Sequence, residues 1–411
     1  MTAQGYRGQR LLSAGQRFDA APSLVSRLLA PGFGAVIDKV DRGLARGTMI
    51  AHLPDGTTRA LGGRAPGFEV ELTVHDWCAL IRLATGGSIG WYQAHAAGEW
   101  SCDDPVSLFA IMGENARELG NTARPSGPFK WAARAAHRFN RNSREGAARN
   151  IAAHYDLGND FYATWLDSQL TYSSALGPLD EGLEAAQQRK LAAIADRLGD
   201  GREVLEIGCG WGALAHYLAE QGRQVTAISL SEEQLGYARA NRSRAIRFER
   251  RDYREVDGLY DAIACVEMVE ALGREYWPVF LDCVARSLKP GGRAALQYIS
   301  MADDLFETYA AAPEFIQAYI FPGGLLIKSS EFRALAQERA LVWEDQHDFG
   351  ADYAVTLGAW RARFDAAVHE GRLPRGFDAD FQRLWRYYLA YCEGGFRSGN
   401  IDVHQVTLVK R

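Results

Sequence analysis

Residues 204–212, Val-Leu-Glu-Ile-Gly-Cys-Gly-Trp-Gly, leave few folds open. An apolar run with Glu206 near its end passes into Gly208, Gly210 and Gly212 at alternate positions, and residues 213–220 then repeat their apolar side chains with helical periodicity. The pattern predicts a strand, a sharp turn and the start of a helix. Glycine suits that turn because the backbone must fold back tightly and a ligand must reach the N–H groups of the helix terminus without a Cβ in the way.

On its own the GxGxG pattern also fits an ordinary α/β turn. The residues that follow narrow the choice. A second strand over 224–229 ends about 20 residues after the first glycine, where dinucleotide folds carry a ribose-binding Asp or Glu. Here Ser229 holds that place, followed by Leu230-Ser231-Glu232-Glu233-Gln234. A third strand over 245–249 leads to Arg250-Arg251-Asp252-Tyr253, and a fourth over 260–266 leads to Glu267-Met268-Val269-Glu270. A fifth follows the turn Lys289-Pro290-Gly291-Gly292. Strands alternating with helical stretches predict an α/β, doubly wound parallel sheet with its ligand at the strands' carboxyl ends. The order of these signals suits an S-adenosylmethionine-binding, class I methyltransferase sheet better than a nicotinamide one.

The net charge of −5 provides no global basic field, which argues against a nucleic-acid partner. Six cysteines fall at scattered positions without metal-binding spacing, as expected of reduced thiols in a cytoplasmic protein. No metal is expected. The N-terminus lacks the apolar core of a signal peptide, and no run of uncharged apolar residues is long enough to span a bilayer.

Three segments are expected along the chain. Residues 1–123 read as a smaller α+β domain, with short strands or apolar segments at 33–38 and 48–53, a hairpin turn at Pro54-Asp55-Gly56, a half-buried strand at 68–74 and a helix from Asp76 to Ala84. Trp91, Tyr92 and Trp100 fit a core with turns, or a surface that holds acyl chains. Residues 124–149 carry Lys130, Arg134, Arg138, Arg141, Arg144 and Arg149 against the single acid Glu145, with Trp131, Ala135 and Phe139 at helical spacing. That composition suits a basic amphipathic helix on anionic lipid headgroups, or a solvated linker. Residues 150–411 read as the catalytic domain, with an apolar insertion at about 300–340 expected to shape the substrate pocket.

The motifs His154-Tyr155-Asp156-Leu157-Gly158-Asn159, Leu170-Thr171-Tyr172-Ser173-Ser174-Ala175, the glycine loop, Leu230-Ser231-Glu232-Glu233-Gln234, Tyr319-Ile320-Phe321-Pro322-Gly323-Gly324 and Phe349-Gly350-Ala351-Asp352-Tyr353 follow one another in a characteristic order. In that order and spacing the chain resembles the cyclopropane-fatty-acyl-phospholipid synthases and the related mycolic acid cyclopropane synthases. The resemblance implies a methylene donor, S-adenosylmethionine, and an acceptor, the cis double bond of an unsaturated acyl chain in a membrane phospholipid. It places Tyr172 and Ser173 at the methionine part of the donor, Gly208, Cys209 and Gly210 beneath it, Ser229 and Gln234 at the ribose, and Asp252 and Tyr253 at the adenine. It also implies a bound bicarbonate as the base, held by Glu270, Tyr353 and Gln297 and by the amides of Ser174 and Ile299. A carboxylate beside bicarbonate is electrostatically unfavourable, so Glu270 would need to be protonated or accept the bicarbonate proton. The family further suggests peripheral attachment to the inner membrane face and a homodimer.

Three positions depart from the family pattern: Ser174 where many members have Cys, Gln297 where His is frequent, and Ala271 where His often follows the glutamate. Gln297 can donate a hydrogen bond but cannot exchange a proton. Methyl transfer is unaffected by these changes, whereas the later proton step is open. The expected readings are therefore a cyclopropane synthase, a lipid C-methyltransferase making methyl- or methylene-branched chains, and a lipid-binding protein with a degenerate catalytic domain.

Overall fold

A computed structural model describes residues 7–16, 33–120, 157–311 and 313–411. The basic segment 124–149 and residues 154–156 of the His154 motif lie outside the described residues. The chain divides into two compact units, Met1–Phe139 with Glu307–Pro322 and Arg375–Asn400, and Asn140–Phe306 with Gly323–Pro374 and Ile401–Arg411.

In the first unit β1 (Thr48–His52) and β2 (Thr58–Gly62) form an antiparallel hairpin around the Asp55-Gly56 turn. β3 (Glu69–Val74) pairs parallel with β1 and antiparallel with the short β4 (Trp100–Ser101), giving the order β2-β1-β3-β4. Residues 33–38, expected as a strand or apolar segment, open the helix Phe33–Gly43 instead. Phe33 and Ile37 are its buried side chains, four residues apart, and a six-residue window was too short to reveal that period. The helix expected at 76–84 extends over Cys78–Ala96, with a break at Gly87.

The helices Phe315–Tyr319 and Ala379–Arg397 belong to this unit, although they lie in the chain beyond the boundary read from sequence. Packing explains the assignment. Ala379–Arg397 buries Phe381, Leu384, Trp385, Tyr387 and Tyr388, and comes so close to the helix Pro105–Glu114 that a Cβ on Gly394 would lie 2.5 Å from that of Phe109. Sequence periodicity shows that a helix has an apolar face but not which partner covers it.

The second unit holds seven strands: β5 (Glu203–Ile207), β6 (Gln224–Ser229), β7 (Arg247–Arg250), β8 (Tyr260–Val266), β9 (Leu288–Met301), β10 (Leu341–Asp348) and β11 (Ile401–Lys410). Their order is β10-β11-β9-β8-β5-β6-β7. β9, β8, β5, β6 and β7 are parallel, and β11 runs antiparallel to both β9 and β10, so the sheet is mixed at one edge. The central parallel strands β5 and β8 are largely buried, with Val204, Leu205, Ile207 and Ala262 to Cys265 in the core, because both faces are covered, whereas the edge strand β7 is mostly polar. From β5 the chain builds outward through β6 and β7, then crosses to β8 on the other side. That reversal leaves a crevice at the carboxyl ends of β5 and β8. Among the described residues no helix is long and apolar enough to cross a membrane.

Candidate active site

A pocket opens in that crevice. It is lined by all nine residues expected at the donor, Tyr172, Ser173, Gly208, Cys209, Gly210, Ser229, Gln234, Asp252 and Tyr253, together with Lys190, Glu206 and Glu267. No described residue of the 300–340 insertion lines it.

Local structure places each group. Gly208, Gly210 and Gly212 all have positive φ (83°, 52° and 77°), and the turn is anchored where the Gly208 N–H donates to the Ile228 carbonyl, 2.9 Å. Ser231 caps the helix Glu232–Asn241 by accepting the Gln234 N–H, which seats the Gln234 side chain in the wall. Asp252 is held by Arg254, whose Nε and Nη2 donate to its two oxygens at 2.8 and 2.6 Å. Tyr172, the ring of this group that lines the pocket, packs against Tyr162, Trp165 and Trp360.

Two buried polar atoms in the pocket lack a hydrogen-bond partner, Glu206 Oε2 and the Tyr253 hydroxyl. Burial pushes the Glu206 carboxyl up to about 8 and the Tyr253 phenol above its ordinary range. Unpaired buried polar atoms are costly unless a ligand completes them. Over Gly210 a Cβ would meet only Gln234 Nε2, at 3.8 Å. An acceptor at the strand end, a free phenol and a side-chain-free floor fit a ligand that carries an ammonium group, hydroxyls and a purine, so the residues present fit S-adenosylmethionine.

The five residues expected around bicarbonate separate into two groups. The Ser174 N–H and Gln297 Nε2 donate to Glu267 Oε1 at 2.9 and 2.7 Å, and the Tyr353 hydroxyl donates to Glu267 Oε2 at 2.8 Å. Gln405 Nε2 donates to Gln297 Oε1 at 3.0 Å, which turns the Gln297 amide nitrogen toward the carboxylate. Glu270 and Ile299 pair with each other instead, the Ile299 N–H donating to Glu270 Oε1 at 2.5 Å. The anion within the expected cradle is therefore the chain's own Glu267. Its donors are already committed, so the residues present do not fit a separate bicarbonate.

Glu267 was not among the residues expected from sequence. It is the first residue after β8, at the carboxyl end of a strand, and that position is the signal that could have found it. Its φ of 49° lies in the left-handed region, uncommon for a residue with a side chain and a mark of functional sites. Burial raises its pKa, while the Ser174 amide, Gln297, Tyr353 and the charge of Lys190 act to lower it. Burial, then the charge of Glu267, pushes the Glu270 carboxyl up to about 8, and its Oε2 is buried without a partner. Two nearby carboxyls thus differ: Glu267 accepts from three donors, which favour its ionised form against burial, whereas Glu270 has one amide donor and is pushed up to about 8.

Tyr353→Phe removes one charge-assisted hydrogen bond from the ionised form of Glu267. The expected result is a rate at neutral pH lower by about tenfold to a hundredfold, with the acid limb of the pH–rate profile moved upward. An unchanged acid limb would show that the phenol does not act on this carboxylate.

Comparison with known proteins adds the family context. The model of the mycolic acid cyclopropane synthetase family matches residues 142–406. The tuberculostearic acid methyltransferase UfaA1 of Mycobacterium tuberculosis is 35% identical, over 96% of this chain and 95% of that protein. The cyclopropane-fatty-acyl-phospholipid synthase of Escherichia coli is 33% identical, over 84% of this chain and 89% of that protein. The mycolic acid cyclopropane synthase CmaA1, solved with SAH and CTAB, superposes with a TM-score of 0.60 at 28% identity, covering 64% of this chain and 98% of that one.

Proposed function

Because the chain belongs to the mycolic acid cyclopropane synthetase family and is an S-adenosylmethionine-dependent methyltransferase, we propose that it methylates the cis double bond of an unsaturated phospholipid acyl chain. In this reading the Glu267 carboxylate takes the released proton, and the product is a methylene-branched chain. The observation that carries it is the convergence of Ser174, Gln297 and Tyr353 on Glu267.

S-adenosylmethionine supplies an electrophilic methyl group on a sulfonium. Tyr172, Ser173 and the glycine loop hold it in line with the alkene in a water-poor pocket, where orientation provides much of the rate. The alkene π pair forms the new C–C bond, the S–C pair stays on sulfur, and the neighbouring carbon becomes cationic. The face of Tyr172, which lines the pocket, can steady that charge. Glu267 then accepts a proton from the new methyl group. The positive charge leaves sulfur, passes through the acyl chain and is neutralised at the carboxylate, so the pocket never holds an uncompensated charge.

The timing of the last step sets the product. Three donors stabilise the Glu267 carboxylate and so offset part of the basicity that burial gives it. A slower proton transfer lets a hydride move from the methylated carbon to its neighbour, placing the cation on the more substituted carbon. Loss of the methyl proton then leaves a methylene branch, with the C–H pair forming the new double bond. The name of UfaA1, which matches nearly the full chain, supports branching. The E. coli relative favours a second outcome, in which the same proton leaves before the hydride moves and the ring closes.

The test is incubation of the purified protein with S-adenosylmethionine and vesicles of cis-monounsaturated phospholipid, in buffer stripped of carbon dioxide. The fatty acids are then read by mass spectrometry and proton NMR. Vinylidene protons, formed at the same rate with and without bicarbonate, are the expected result. Upfield ring protons would move the protein to the cyclopropane synthases, and a requirement for bicarbonate would remove Glu267 as the base.

A further inference from the structure

Lys190, on the helix Leu183–Arg197, is 1% exposed and lines the pocket, yet beyond its charge on Glu267 it has no part in the chemistry above. A buried ammonium is costly unless it is paired. Its Nζ donates to Ser173 Oγ at 2.7 Å. Gln187, one turn earlier on the same helix face, donates to the carbonyls of Ser173 and Thr171 at 2.9 and 3.4 Å. The helix thus grips the segment that carries Tyr172 and Ser173. Because Ser173 Oγ accepts from Lys190, the serine's own proton is directed to another acceptor, and the donor's carboxylate end is the one expected beside it.

Charge gives Lys190 a second role. The charges of Glu267 after β8, Asp167 in the loop before Leu170 and Glu206 on β5 act on it, and Ser174, next to the Ser173 that Lys190 holds, donates its N–H to Glu267. Glu270 faces Glu267, and Arg242 faces Asp167 and Glu206. Among these groups Lys190 is the cation that acts on Glu267.

We propose that Lys190 is a positioning residue of the methyl-transfer site: through Ser173 it holds the carboxylate end of S-adenosylmethionine, and by its charge it keeps Glu267 ionised. The second half rests on Glu267 acting as the base. The first half does not.

Two variants separate the roles. Lys190→Gln keeps a donor for Ser173 Oγ and removes the charge, whereas Lys190→Met removes both. Affinity for S-adenosylhomocysteine, measured by calorimetry, reads the first role, and the acid limb of the pH–rate profile reads the second. For Lys190→Gln we expect affinity within about threefold of the wild type and an acid limb moved up by about one pH unit. For Lys190→Met we expect the same shift together with about a tenfold to hundredfold loss of affinity. Wild-type affinity and an unmoved limb in both variants, each melting as the wild type does, would overturn the proposal. Unfolding of both would assign Lys190 a structural role and overturn it as well. An acid limb that persists in Glu267→Gln would defeat the base assignment alone, and the calorimetry would still decide the Ser173 role.

Discussion

Glu267→Gln is expected to lower product formation by about 10²- to 10⁴-fold while leaving affinity for S-adenosylhomocysteine within about threefold. The substitution is nearly isosteric. Its amide oxygen can still accept from the Ser174 N–H and Gln297 Nε2, and its NH₂ can donate to the Tyr353 hydroxyl, so the loop after β8 should hold its shape. What it loses is the site for the proton. Glu270→Gln is the matched control: burial and the charge of Glu267 already keep Glu270 protonated at neutral pH, so a neutral amide should cost less than about tenfold. The reverse ranking would transfer the base to Glu270. The pH dependence follows from the same shifts. Glu267 must be ionised to accept a proton, and its pKa is raised above the usual glutamate value. The rate should therefore fall as the pH drops through a midpoint above that value, and Glu267→Gln should abolish that limb in whatever activity remains.

The parts of this site that were legible in the sequence are those built from one continuous stretch. The turn after β5 announces itself through its glycines, and the donor-pocket residues from Gly208 to Tyr253 lie at a strand end or a few positions after one, so β5 to β7 and their following loops place Gly208, Ser229, Gln234, Asp252 and Tyr253 together. Glu267 was less legible because its meaning lies in partners 93, 30 and 86 residues away at Ser174, Gln297 and Tyr353. The resemblance to a bicarbonate-dependent family drew those partners to an external anion instead. β11 shows another limit. Its alternating apolar residues read as a half-buried strand, yet His404, Gln405 and Thr407 are buried along with Val403, Val406 and Leu408. Gln405 is polar because it orients Gln297, and His404 because it bonds to Ser300 and Asp348, which periodicity does not record. The non-catalytic reading is set aside by membership of a methyltransferase family.

Gly208→Ala should act on both halves of the site at once, and it is the second large effect expected. Gly208 has a φ of 83°, and a Cβ there would lie 2.7 and 2.8 Å from Met268 Cγ and Cβ. Contacts that close force a shift of the loop that follows β8, and Met268 sits beside Glu267 in that loop. Left-handed backbone for an L residue costs about 1–3 kcal/mol, and overpacking at a tight contact costs about 1–3 kcal/mol more. Gly222→Ala separates the two terms, since Gly222 has a φ of 80° but no atom within 4 Å of its added Cβ. The control should lose stability from backbone strain alone and bind S-adenosylhomocysteine as the wild type does. Gly208→Ala should melt lower than the control and lose about a hundredfold in affinity, because about 3 kcal/mol of displaced packing acts directly at the ligand. Should the two variants melt alike and bind alike, the glycine at 208 serves only the turn, and the link it makes between the donor loop and the Glu267 loop has no functional weight.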